Sequence, residues 1–191
     1  MLTTDGFRDT PPQSHSPMSD AKSRLRADLP NFPEEVVTHW LDEYAENPGW
    51  PPQPDYLINP QNRWNALLRY KSVGWWQTVK WQLEQLKPEE LPFNEESLEN
   101  IHGVGAAFLS PVATKYSFIH DLKPRCASIL RYMLENGAFP VPVFVVCERG
   151  VYDIADGAHR LAVYWLMLAN FETRARLTKD QPCWVAYAPN S

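Results

Sequence analysis

Five consecutive residues, Asp156-Gly157-Ala158-His159-Arg160, combine side chains that can hold an oxyanion with a backbone that can cradle one. Arg160 offers a planar fork of donors matched to phosphate oxygens. His159 offers a further hydrogen bond and, near neutral pH, a proton that can be held or released. Gly157 permits a sharp turn at which backbone N–H groups stay uncovered, and Ala158 adds another N–H behind a small side chain. Leu161 to Leu168 follows as an apolar run at helical spacing, so the five residues feed the first turn of a helix. The N–H groups of that turn lack intrahelical partners and carry partial positive charge. Acids are favoured there, so a basic pair makes sense if an anion sits between it and the helix end. Asp156 then holds the loop or orients His159. A plainer reading uses the same residues: Asp156 caps the helix, Gly157 makes the turn, and His159 and Arg160 are solvated.

The elements that must position this loop are legible on both sides. Val143 to Cys147 is a short apolar, β-branched run with the composition of a buried strand. Glu148-Arg149-Gly150 is a turn, and Val151 to Ala155 reads as the returning strand. Gln181 to Tyr187 reads as a last strand of the same sheet. Upstream, Ile129, Leu130, Met133 and Leu134 mark a helix that Pro124 starts or kinks and Gly137 ends. The expected fold class is α+β, with a small mixed sheet from Val141–Cys147, Val151–Ala155 and Cys183–Tyr187.

Asp-Gly-x-His-Arg-Leu, placed after a strand pair and before an apolar helix, resembles the signature of the ParB/sulfiredoxin superfamily. The order of Tyr116-Ser117, a helix ending at Gly137, then Pro140-Val-Pro-Val143 is similar to that family as well, so the resemblance covers roughly Ser110 to Tyr187. It implies that the motif loop binds nucleotide phosphates and that the loop carrying Lys115 and Tyr116 lies over the nucleotide. Lys115 becomes a second phosphate candidate on that basis, against the alternative of a solvated lysine. Sulfiredoxin carries its reacting Cys just before the His-Arg pair; here that position is Ala158, which removes sulfiredoxin chemistry. The chain looks more like the free-serine kinases of the same fold, which use an Asp-Gly-His-His-Arg loop without the Cys. Their catalytic Glu lies upstream, where Glu95, Glu96 and Glu99 stand in this chain.

The implied function is an ATP- or ADP-dependent phosphotransferase acting on a small molecule. Phosphoryl transfer needs a cradle, charge neutralisation, usually Mg²⁺, and a positioned acceptor. Asp156, His159 and Arg160 are the catalytic candidates; Gly157, Ala158, His159, Arg160 and Lys115 are the nucleotide-binding candidates; no protein metal cluster is expected. The alternative class is a non-catalytic, nucleotide-responsive module acting on DNA or a protein partner. A formal charge of −5 and the lack of a helix-turn-helix pattern weigh against DNA.

Composition sets the frame. Of the 191 residues, 44% are hydrophobic and 21% charged, an ordinary globular balance. Cys126, Cys147 and Cys183 are odd in number and embedded in apolar segments. They read as buried thiols of a reducing compartment, so a cytoplasmic location is expected. No apolar run approaches the roughly 18 residues of a membrane span. Residues 1–28 are rich in Ser, Thr, Pro and Asp and read as a disordered tail, with a brief helix at Ala21–Arg26.

Residues 29–107 read as a Trp-rich helical extension packed on the core, and residues 108–191 as the ParB/sulfiredoxin-like nucleotide-binding domain. Val36, Val37, Trp40, Leu41 and Tyr44 form one helical face, and Trp64, Leu67 and Leu68 another. A third helix is expected from about Ser72 to Lys87, with Trp76, Val79, Leu83 and Leu86 as its buried stripe. Helix packing is the first explanation of the tryptophans; a wall that stacks a base or sugar is the second. Asn94 caps a short helix, and Gly103-Val-Gly-Ala-Ala107 reads as a flexible turn without the Lys and Ser/Thr of a P-loop.

Overall fold

In the computed structural model, which describes residues 17–116 and 118–189, one mixed sheet organises the chain. Its strands are β1 (Lys80–Leu86), β2 (Val143–Glu148), β3 (Val151–Asp156) and β4 (Gln181–Tyr187), in the order β1-β4-β2-β3. β2 pairs antiparallel with β3 and parallel with β4, while β1 pairs antiparallel with β4. Side chains alternate across a strand, and β2 uses both faces for burial. Val143, Val145 and Cys147 join one core; Phe144 and Val146 join the other. The β2–β3 hairpin turns through Arg149 (φ 54°) and Gly150 (φ 76°). Positive φ at both central residues is what a type I′ turn requires, and its twist matches the flanking strands.

Helices cover both faces. On one side lie α1 (Pro17–Asp28), α2 (Glu34–Val36), α3 (Asp42–Tyr44), α4 (Arg63–Leu67) and α5 (Val73–Trp76). Trp64 of α4 and Trp76 of α5 pack with Trp40 and Leu41, from the segment between α2 and α3, on Phe144, Val146 and Ala186. Burying a tryptophan removes about 150–250 Å², worth a gross ~4–6 kcal/mol before entropy. The fully buried Trp64 and Trp76 are therefore large contributors to this layer. On the other side lie α6 (Glu95–Leu109), α7 (Leu122–Asn136) and α8 (Ala158–Ala169), with the short α9 (Phe171–Arg174) after them. Ile101, Met133, Leu161 and Tyr164 pack there on Val143, Val145 and Val185. The Trp-rich segment is thus one cover of a shared sheet.

A partly buried ion pair ties that cover to the strands. Arg69 donates two 2.8 Å hydrogen bonds to Asp153 on β3 and also pairs with Glu96 at 3.0 Å. Ser97 Oγ donates to Asp153 at 2.9 Å and accepts from the Ile154 N–H at 3.0 Å.

Three expectations need correction. The helix expected from Ser72 to Lys87 stops at Trp76, and Lys80–Leu86 is the edge strand β1. Leu83, placed in a buried stripe, is half exposed. Trp81-Gln-Leu-Glu fits period 2 as well as a helix, and seven residue pairs with β4 decide between them. Asn31 pins the break, its side chain donating to the carbonyls of Trp76 and Val79 at 2.9 Å each. Second, Gly103–Ala107 is not a turn but the interior of α6, which Asn94 does cap. Gly103 still serves a close approach: a Cβ there would meet the Tyr116 ring. Third, the tail expected to be disordered to Asp28 divides. Its first sixteen residues lie outside the described ones, and Pro17–Asp28 forms α1 with Leu25 fully buried.

Candidate functional site

The motif loop sits where β3 ends and α8 begins. Phe144 pairs with Asp156 and Val145 with Ile154, so Ala155 is one extra residue on β3, a bulge. Bulges re-aim the side chains that follow them, and this one stands directly before Asp156. Gly157 is the N-cap of α8 at φ 112°. A Cβ there would lie 2.8 Å from Val143 Cγ1 and 2.9 Å from Arg160 Nη2. Both the backbone angle and the space demand glycine. Ala158 is the first helical residue, and no side chain caps the helix. The N-terminal N–H groups of α8 are therefore free of side-chain acceptors, and Asp156 is not a cap. Its carboxylate instead accepts a 2.6 Å hydrogen bond from Arg160 Nη2.

The solvated reading of the basic pair also fails. The Arg160 side chain is 14% exposed and lies over the Phe144 ring, 5.7 Å from guanidinium carbon to centroid. Its Nε is buried without a partner, as is Nε2 of the half-buried His159. Burial, and then the charge of Arg125, depress the His159 pKa from 6.5 to about 4. The ring is therefore neutral at pH 7 and can serve as a hydrogen-bonding imidazole. Of the two roles expected of Asp156, holding the loop or orienting His159, the bond from Arg160 accords with the first.

These residues line a cleft of about 610 Å³, within the roughly 300–1,000 Å³ of small-ligand sites. Asp156, Gly157, His159 and Arg160 form one wall. The Trp-rich cover supplies His39, Trp40, Glu43, Tyr44 and Arg63, and the start of α7 supplies Arg125. His39 and Trp40 lie in a π-helical segment, Val37–Leu41, between α2 and α3. Such segments are rare and frequent at functional sites. Six buried side-chain N or O atoms among the described residues lack partners; three of them, on Trp40, His159 and Arg160, belong to residues of this cleft.

Other candidates fall elsewhere. Lys115 does not line the cleft; it pairs with Glu99 and is two-thirds exposed. Glu96 is engaged by Arg69, and none of Glu95, Glu96 and Glu99 lines the cleft. The carboxylate opposite the loop is Glu43. Arg63, Arg125 and Glu43 were not singled out in the sequence, because each comes from a different segment with no local motif. Of the tryptophans only Trp40 reaches this cleft, and it is 3% exposed; packing explains the others. The three cysteines are buried and not joined in disulfides, and burial raises Cys126 to about 11 and Cys183 to about 12, which keeps these two thiols protonated and unreactive near neutral pH. Among the described residues no group of His, Cys, Asp and Glu forms a metal cluster, and no helix is long and apolar enough to cross a membrane.

Comparison with protein families, with curated proteins and with solved structures finds no match for this chain.

Proposed function

We propose that the cleft binds a nucleotide through its phosphates and that the protein is an ATP- or ADP-dependent phosphotransferase acting on a small molecule, with a ParB/sulfiredoxin-like domain at its core. One observation carries this reading. His159 and the largely buried Arg160, at the uncapped N-terminus of α8, line a ligand-sized cleft. Backbone N–H groups, macrodipole and guanidinium there all favour one bound anion. Arg160 binds phosphate oxygens, His159 adds a hydrogen bond, and Asp156 holds the Arg160 fork in place. Mg²⁺ in phosphoryl-transfer sites is held by one or two carboxylates together with substrate phosphates. Glu43 and Asp156 are the carboxylates on the cleft wall, and they fit that role. A cytoplasmic site of action accords with cysteines that are not joined in disulfides.

Calorimetric titration of ATP, ADP and CTP with Mg²⁺ tests the reading. Arg160→Ala is expected to cost roughly 1.5–3 kcal/mol of binding, the range for charged hydrogen bonds, or about ten- to a hundredfold. Arg160→Lys recovers only part of it, because the fork is lost. Absence of binding to the wild type refutes the site. Arg160-dependent binding without phosphate transfer to any small hydroxylated acceptor replaces the kinase by a nucleotide-responsive binding module.

A further inference from the structure

Two guanidinium groups of the cleft are used neither by the motif loop nor by any carboxylate. Arg63, at the start of α4, lies over the Tyr44 ring at 4.3 Å. Arg125 stands in the first turn of α7. No Asp or Glu among the described residues is within ion-pair distance of either. An unpaired surface arginine is ordinary by itself. Here two of them share one concave surface with Arg160, and the three come from three different elements. The opposing charge is Glu43 and Asp156, and Asp156 is already held by Arg160. A chain of net charge −5 thus sets three arginines against two carboxylates in one cleft, an excess of positive charge that favours an anion there. The field is felt across the cleft: after burial, Arg125 is the largest influence depressing proton affinity at His159.

One phosphate at the helix end does not need three guanidiniums. We propose that Arg63 and Arg125 form a second anion subsite in this cleft, which takes the terminal phosphate of a nucleoside di- or triphosphate while the Asp156–Arg160 loop takes another phosphate of the same chain. The inference rests on the nucleotide reading above and narrows it to polyphosphate ligands. Tyr44, under the Arg63 guanidinium, holds that side chain toward the cleft wall they share.

The experiment is titration of AMP, ADP, ATP and inorganic pyrophosphate into wild type, Arg63→Gln and Arg125→Gln, with thermal unfolding as a check that the folds match. Each substitution is expected to weaken ADP, ATP and pyrophosphate about tenfold, as for loss of one charged hydrogen bond, and AMP less than about twofold. AMP binding as tightly as ATP, or both variants binding ATP like the wild type, overturns the second subsite and leaves a single-phosphate site standing. Pyrophosphate binding that depends on Arg63 and Arg125, without nucleotide binding, supports the subsite and refutes the nucleotide reading. Binding of none of the four ligands overturns both.

Discussion

His159 gives the site a pH signature that does not depend on knowing the ligand. Its folded-state pKa is about 4 against an ordinary 6.5, because burial and the Arg125 charge oppose the imidazolium. In the unfolded chain the ring protonates as pH falls through 6.5, while in the folded protein it stays neutral until about 4. The unfolded state therefore binds more protons throughout that window, and stability falls as the pH drops. Above pH 7.5 neither state is charged and the contribution is flat. At 1.36 kcal/mol per pKa unit the difference sets an upper limit of roughly 3 kcal/mol. The ring is only half-buried, so solvent screening brings the expected effect to about 1–2 kcal/mol. The perturbation is His159→Gln, which keeps a polar side chain and removes the titration. Urea unfolding of both proteins from pH 8 to pH 4 isolates His159, because the carboxylates common to both cancel in the difference. The wild type is expected to lose that 1–2 kcal/mol relative to the variant between pH 7 and pH 4. A constant difference across the window, or an imidazole that titrates near 6.5 by NMR, would refute the buried, field-depressed placement. A phosphate beside the ring favours the imidazolium, so saturating pyrophosphate is expected to move the titration upward.

The remaining expectations concern how the site is held. Arg69→Leu strands the partly buried Asp153 carboxylate, and breaking such a pair costs up to roughly 3–5 kcal/mol. With Arg69 at 12% and Asp153 at 24% side-chain exposure, a loss near ~3 kcal/mol in urea unfolding is expected, and a loss below about 1 would show the pair to be decorative. Gly157→Ala meets both a strained φ and the Val143 side chain 2.8 Å away. It should destabilise the protein by more than about 2 kcal/mol and displace Arg160; a variant as stable as wild type would mean the loop relaxes freely. A fragment of residues 29–92 is not expected to unfold cooperatively alone, since its tryptophans pack on Phe144, Val146 and Ala186 of strands it lacks; a sharp monomeric transition by circular dichroism would contradict this.

What could be read from the sequence was whatever rests on local chemistry. Val143–Cys147 as a buried strand, Gly150 in the hairpin, Gly157 before α8, the Asn94 cap and the Gly137 C-cap all follow from residue types within a few positions of one another. Lys80–Leu86 was misread because its apolar residues satisfy two periods, and the deciding partner, β4, lies about a hundred residues downstream. Lys115 failed for a related reason. A family-level expectation placed its loop over the ligand, but Glu99 is its partner on the adjacent helix. The opposite wall of the cleft had no sequence signal. His39, Glu43, Arg63 and Arg125 form no motif; the packing of the Trp-rich cover on the sheet brings the first three to the Asp156–Arg160 loop, and the packing of α7 beside α8 brings Arg125.

That division has a physical consequence. The motif loop belongs to the β3–α8 connection, whereas the facing wall belongs to a cover held on the sheet by Trp burial, the Arg69–Asp153 and Lys71–Glu148 pairs and the hydrogen bond from Trp184 Nε1 to Glu35. The cleft exists only while the two are docked. A ligand that touches both walls therefore binds the docked state and not a state with the cover released, and must stabilise docking by its own binding energy. At a hundred times its Kd this linkage reaches about 2.7 kcal/mol, comparable to the contribution expected of the Arg69 pair. The buried unpartnered nitrogens on Trp40, His159 and Arg160 come from both sides of that junction. The Trp-rich segment is thus more than a lid on apolar strands: it supplies the wall that faces the Asp156–Arg160 loop across the cleft.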